Sequence, residues 1–200
     1  MCFKKWMLLT ILAGTAAGAF GQTVPLQKAE LEKNQAAAWE VPVSYDLFRA
    51  NIPPGRSECF WMNGIGTGLV ANAKHGISFV ADLTLVQAGN INNTSQNLTV
   101  FNYQFGPRYS LRTHSRLTPY AQALVGGSHI SSNYVFYSPG INSFASTLGG
   151  GVQVRVSHHF AITPGEADWV FSNAGNGVRD TQNNLRITAG FVLLFGSRKG

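Results

Sequence analysis

Asn184-Leu-Arg-Ile-Thr-Ala-Gly-Phe-Val-Leu-Leu-Phe195 alternates with a period of two, and this constrains the chain more than anything else in it. One parity reads Leu185, Ile187, Ala189, Phe191, Leu193, Phe195. The other opens Asn184, Arg186, Thr188, Gly190 and turns apolar only at Val192 and Leu194. Successive side chains of a strand point to opposite faces, so one face is greasy throughout and the other is polar over half its length. In water the greasy face must enter a core. In a membrane barrel it faces lipid, and the polar face lines the inside.

Seven earlier stretches repeat the pattern. The first, 39–48, sets Trp39, Val41, Val43, Tyr45 and Leu47 against Glu40, Ser44 and Asp46. The second, 61–73, is punctuated by Gly64, Gly66 and Gly68. The third sets Ile77, Phe79, Ala81, Leu83 and Leu85 against Ser78, Asp82 and Thr84. The fourth, 98–111, sets Phe101, Tyr103, Phe105, Tyr109 and Leu111 against Asn102, Gln104, Gly106, Arg108 and Ser110. The fifth covers 117–128. The sixth sets Phe144, Leu148, Val152, Val154 and Val156 against Thr147, Gln153 and Arg155. The seventh, 160–171, carries Glu166 and Asp168 on one parity, Trp169 and Phe171 on the other. Connections after the odd strands run to about nine to thirteen residues and those after the even strands to about three to five. Long loops at one end and tight turns at the other mark an up-and-down barrel of the outer-membrane kind.

The start of the chain reads differently. Lys4 and Lys5 precede the apolar run from Trp6 to Ala13, and Ala19-Phe-Gly21 has the small-x-small form of a cleavage site. Residues 1–21 therefore read as a secretory signal peptide. Residues 22–38 read as a polar leader, locally helical over 27–38; 39–195 as the barrel; 196–200 as a tail. Removing the signal takes two of the 15 Lys and Arg residues and leaves 13 against 9 acids. The remaining cations are scattered, which argues against nucleic acid as a partner. Cys59 is then the single mature cysteine and reads as an unpaired loop thiol.

The sense of the barrel follows from volume. Phe101, Tyr103, Phe105, Tyr109, Trp169, Phe171, Phe191 and Phe195 together overfill the inside of eight strands. Turned outward, Phe101, Tyr103, Phe105, Tyr109, Trp169, Phe191 and Phe195 become lipid-facing residues. Trp39, Tyr45, Tyr109, Trp169 and Phe195 near strand ends suit interfacial girdles. Asp46, Asp82, Arg108, Arg155, Glu166, Asp168 and Arg186 then form an interior charge network, in which opposite charges pair. Gly66, Gly68, Gly106 and Gly190 are expected to leave room for the arginines. The expected fold is all-β, an eight-stranded antiparallel up-and-down transmembrane β-barrel. A soluble sandwich or secreted barrel holding a small apolar ligand is the alternative.

The signal, the eight alternating strands and the near-terminal Phe195 resemble the OmpA/OmpX-like small outer-membrane barrels. Ile52-Pro-Pro-Gly, Phe105-Gly-Pro-Arg-Tyr109, Arg112-Thr-His-Ser-Arg116 with Pro119-Tyr120, and Gln182-Asn-Asn-Leu-Arg186 look more narrowly like a set common in acidobacterial genomes. The resemblance spans residues 38–195. It implies a place in the outer membrane and carries no activity with it. Such barrels end on the aromatic residue read by the barrel assembly machinery, whereas here Gly196-Ser-Arg-Lys-Gly200 follows Phe195.

Catalytic patterns are weak. Gly64-x-Gly-x-Gly68 lacks the following helix of a dinucleotide site. Ser128-His129 and Ser157-His158 invite comparison with lipid hydrolases, but sequence neighbours on a strand point apart. The histidines His75, His114, His129, His158 and His159 lie mostly in turns and show no metal-ligand spacing. No catalytic, metal or cofactor residues are assigned, and the chain is expected not to be an enzyme. The expected role is envelope structure or surface interaction. Its partners would be outer-membrane lipid, the assembly machinery and a surface ligand met through long loops such as Asn133-Tyr-Val-Phe-Tyr137. A narrow pore for ions or small solutes is the alternative role.

Overall fold

In the computed structural model, eight antiparallel strands close into one barrel in sequence order. The structure describes residues 36–50, 59–91, 97–112, 116–132, 140–174 and 181–198. The signal and most of the leader, the Ile52-Pro-Pro-Gly loop, His114 and the Asn133–Tyr137 loop lie outside them. The strands are β1 (Ala36–Ala50), β2 (Phe60–Asn72), β3 (Ile77–Ala88), β4 (Leu98–Ser110), β5 (Leu117–Ser132), β6 (Ile141–Arg155), β7 (Phe160–Ser172) and β8 (Gln182–Arg198). Closure comes from β1 pairing with β8, so no edge is left unpaired.

The stagger of the strands sets the width of the barrel. A walk along facing residues from Glu40 passes Val70, Val80 and Gly106, then Leu124, Thr147, Val170 and Asn184. It returns to β1 at the level of Ala50, a stagger of ten residues. Eight strands closed in this way leave an interior just wide enough for side chains to fill.

The alternation settles which parity is outside. Along β4, Phe101, Tyr103, Phe105 and Tyr109 are exposed, and Asn102, Gln104 and Ser110 are buried. The same holds for Trp39, Tyr45, Ile65, Phe79, Leu148, Trp169, Phe191 and Phe195, all exposed. Aromatic and aliphatic groups thus form the outer surface, the sense expected of a barrel in lipid and the reverse of a water-soluble one.

Three details depart from the simple alternation. β7 holds one extra residue between Thr163 and Glu166, visible against both β6 and β8. The bulge falls at Pro164-Gly165, residues that suit it because Pro gives no ladder N–H and Gly needs no side-chain space. It switches the inward parity from Ala161 and Thr163 to Glu166, Asp168 and Val170. β1 starts at Ala36 rather than Trp39, and β8 continues past Phe195, where Ala37 faces Ser197 and Ala36 faces Arg198. Gly196, with φ at 67°, sits in the left-handed region where glycine is unpenalised. Finally, Cys59 is disulfide-bonded in the full 200-residue chain, whereas the expectation of an unpaired thiol concerns the chain after removal of residues 1–21.

Candidate functional site

The inward parities of the eight strands meet in a layered interior. The polar middle is organised by Arg186 on β8. Its Nε donates to Asp168 Oδ2 at 2.8 Å, and its Nη1 donates to Asp82 Oδ2 and to Thr84 Oγ1, each at 2.7 Å. Its Nη2 lies 2.7 Å from Asp168 and 3.8 Å from Glu166. One guanidinium is therefore shared by acids from β3 and β7, and it is 3% exposed. Planar guanidinium suits this task, since its fork reaches two carboxylates at once.

Around it the remaining acids are satisfied by neutral groups. Thr188 Oγ1 donates to Asp46 at 2.6 Å, and Ser44 Oγ adds a weaker bond. Tyr120 donates its hydroxyl to Glu166 Oε2. Gln122 Nε2 donates to Glu166 Oε1 at 2.7 Å. Arg108 donates twice to Gln122 Oε1 and stacks over the Tyr120 ring, 4.2 Å from its centroid. Gln104 accepts from Thr147 at 2.6 Å, and its Nε2 has no partner.

Of the seven expected interior charges, Asp82, Glu166 and Asp168 converge on Arg186. Asp46 and Arg108 adjoin the same layer. Arg155 stands apart, at the tight-turn end of β6 opposite Ala161. The expected role of the glycines also needs correction. A Cβ at Gly66 would collide with Asp46 and Ser44, and one at Gly149 with Asp168, so these two make room for carboxylates. At Gly68, Gly106 and Gly190 a Cβ would strike a carbonyl of the neighbouring strand. Those three allow close backbone approach and do not accommodate an arginine.

Two further layers were not anticipated. At the tight-turn end Glu40 Oε1 accepts from Asn72 Nδ2 at 2.6 Å and pairs with Arg112 at 3.7 Å, and Glu40 Oε2 accepts from Gln153 at 3.2 Å. Arg112 also donates to Asn72 Oδ1, which accepts from Ser78 as well. Glu40 shares its parity with Asp46, a visible cue; the inward reach of Arg112 from a turn left none. At the long-loop end the interior is apolar. Phe48, Ala50, Phe60, Met62, Val86, Ile91, Val100 and Val170 form one buried cluster, flanked by Ala88, Leu98 and Ile130. The polar filling expected of the whole lumen therefore stops short of that end, because the parity that carries Asp46 continues to Phe48.

Between Arg186 and Gln153 the interior keeps a narrow cavity lined by Asp46, Asp82, Arg108, Tyr120, Thr163 and Glu166, among others. Its free volume is about 30 Å³, room for roughly one or two waters. All seven expected lipid-facing residues lie on the outer surface. Ser128 points inward and is buried, while His129 turns the other way and its Nδ1 lies 2.7 Å from Asn142 Oδ1. The two do not form a nucleophile–base pair.

No known family model matches the sequence, and no curated protein matches it. Among solved structures, the chain is similar to Neisserial surface protein A, NspA, at 15% identity and a TM-score of 0.63, covering 80% of this chain and 98% of that one. It is also similar to Ail, the attachment invasion locus protein of Yersinia pestis, at 12% identity and a TM-score of 0.54, covering 78% and 99%. Both are small eight-stranded outer-membrane barrels. At these identities the likeness establishes the fold.

Proposed function

We propose that this protein is a closed barrel of the outer membrane with an envelope-structural and surface-presenting role, and not an enzyme. The observation that carries the reading is the filled interior. An apolar cluster occupies the long-loop end, the Arg186 layer crosses the middle, and the Glu40–Asn72–Arg112 belt crosses the tight-turn end. These packed layers leave, in the cavity beside Arg186, about 30 Å³, room for water and not for a larger solute. What remains for such a barrel is to hold its long connections at the cell surface. These are rich in Asn, Ser, Gly and Tyr, residues that make adaptable polar contacts. One of the similar barrels is by name an attachment protein, which favours surface contact over transport. The acidobacterial resemblance of the short motifs belongs to the same proposal.

The test has two parts. The expressed protein is expected to fractionate with outer membrane and to show heat-modifiable gel mobility. Reconstituted in a planar bilayer, it is expected to give no single-channel steps. A detergent-independent soluble monomer would overturn the membrane placement. Reproducible steps would favour the runner-up, a narrow path for ions or small solutes, which the cavity beside Arg186 supports.

A further inference from the structure

The five acids among the described residues, Glu40, Asp46, Asp82, Glu166 and Asp168, all point into the barrel. Among the described residues, the exposed charge at the tight-turn end is therefore of one sign. Lys74 stands exposed in the β2–β3 turn and Arg116 at the end of the β4–β5 turn, and these two are its cations; His75 and His159 are also exposed in the tight turns. Backbone hydrogen bonds join these turns into one rim. Ser110 N–H donates to Gly76 C=O at 2.8 Å, and Arg155 N–H donates to Arg116 C=O at 3.0 Å. Directly above the rim, Ile77, Phe79, Tyr109, Leu117 and Phe195 form an exposed apolar band. Turns this short cannot carry their side chains far from that band, so the cations sit where hydrocarbon gives way to headgroups.

We propose that this basic rim binds the anionic phospholipid headgroups of the leaflet on the tight-turn side. The inference rests on the membrane placement proposed above. Lys and Arg beside a bilayer surface attract anionic lipid at short range, and the attraction fades beyond a Debye length. The rim satisfies that requirement, because its charges lie at the height of the phosphates and no described acid shares the exposed surface. The long-loop rim differs: its described cation is Arg49, held 6.0 Å from the Trp61 ring.

The full chain is reconstituted in phosphatidylcholine nanodiscs containing trace spin-labelled phosphatidylglycerol or spin-labelled phosphatidylcholine, and the motionally restricted lipid fraction is read by electron paramagnetic resonance. Insertion is scored separately by heat-modifiable mobility. At low salt the restricted fraction is expected to be severalfold larger for phosphatidylglycerol. High salt and the double variant Lys74→Gln/Arg116→Gln should remove the preference; Lys74→Arg and Arg49→Gln should keep it. An inserted wild-type protein with no preference, or a preference that survives the double variant, overturns the proposal. So does binding to isolated peptidoglycan sacculi without lipid preference, which would assign the rim to a polymer. A chain that never inserts fails the membrane placement itself, and this proposal with it.

Discussion

Arg186 shows how much one residue can hold in place here. Its guanidinium is buried and touches carboxylates of two strands that are far apart in sequence. Removing one partner of a buried pair leaves an uncompensated charge, at a cost of about 3–5 kcal/mol. Arg186→Met should therefore lower the unfolding free energy by about that amount, measured by urea titration of the folded barrel in detergent micelles. Arg186→Met combined with Asp168→Leu should recover part of the loss, because it removes the orphaned acid as well. A single variant as stable as the wild type would show that the centre is held by its neutral hydrogen bonds instead. Glycines give a second contrast at this scale. Gly149→Ala pushes against the Asp168 carboxylate and should cost about 1–3 kcal/mol. Gly165→Ala meets nothing within 4 Å and should be neutral or slightly stabilising in the same titration. The inward direction of Arg186 was legible from parity alone. The purpose of Gly149 was not, since it depends on where Asp168 lands once β7 has bulged.

At the scale of elements, the strands were readable because each shows a continuous period-two pattern. What alternation hides is any place where the period slips. Pro164-Gly165 was the cue, a Pro-Gly pair inside a strand whose two halves carry inward residues on opposite parities. Deleting Pro164 removes the extra residue, leaving Thr163 and Glu166 two apart and both inward, whereas deleting Ala167 from the regular part of the ladder puts Glu166 and Asp168 on opposite faces. The Pro164 deletion is expected to retain the heat-modifiable form, as is Pro164→Ala, whereas the Ala167 deletion should abolish it. A Pro164 deletion that fails to fold would mean that the bulge itself, and not the phase of the two halves, is needed to close the barrel. The seam between β1 and β8 illustrates a second limit. Alternation ends near Trp39 and Phe195, yet the ladder continues to Ala36 and Arg198 because backbone pairing needs no side-chain pattern. The segment after Phe195, read as a tail, thus contributes residues to closing the barrel.

For the whole molecule, the outward sense followed from volume: the aromatic residues of eight strands have no room inside. The layering of the interior was written in the same parities but is harder to see. Phe48 follows Asp46, Val86 follows Thr84, Val100 precedes Asn102 and Val170 follows Asp168, each on the inward side. Only the register around the barrel brings these four to one level as a collar with Phe60 and Met62. Such a collar excludes water and so bars ions even where polar layers below are hydrated. Beneath it, among the described residues, the five inward acids Glu40, Asp46, Asp82, Glu166 and Asp168 outnumber Arg108, Arg112, Arg155 and Arg186 by one. If the collar is the principal seal, Phe48→Ser with Met62→Ser should convert a silent barrel into a conducting one. The current should be cation-selective, read from the sign of the reversal potential across a potassium chloride gradient. The variant gives up buried apolar contacts, each truncation costing about 2–5 kcal/mol, so its folding must be checked by heat-modifiable mobility before it is scored. A folded variant that stays silent would place the barrier in the Arg186 layer, and adding Arg186→Gln to the same background should then open it. An anion-selective current would contradict the excess of acids as the dominant field of the lumen.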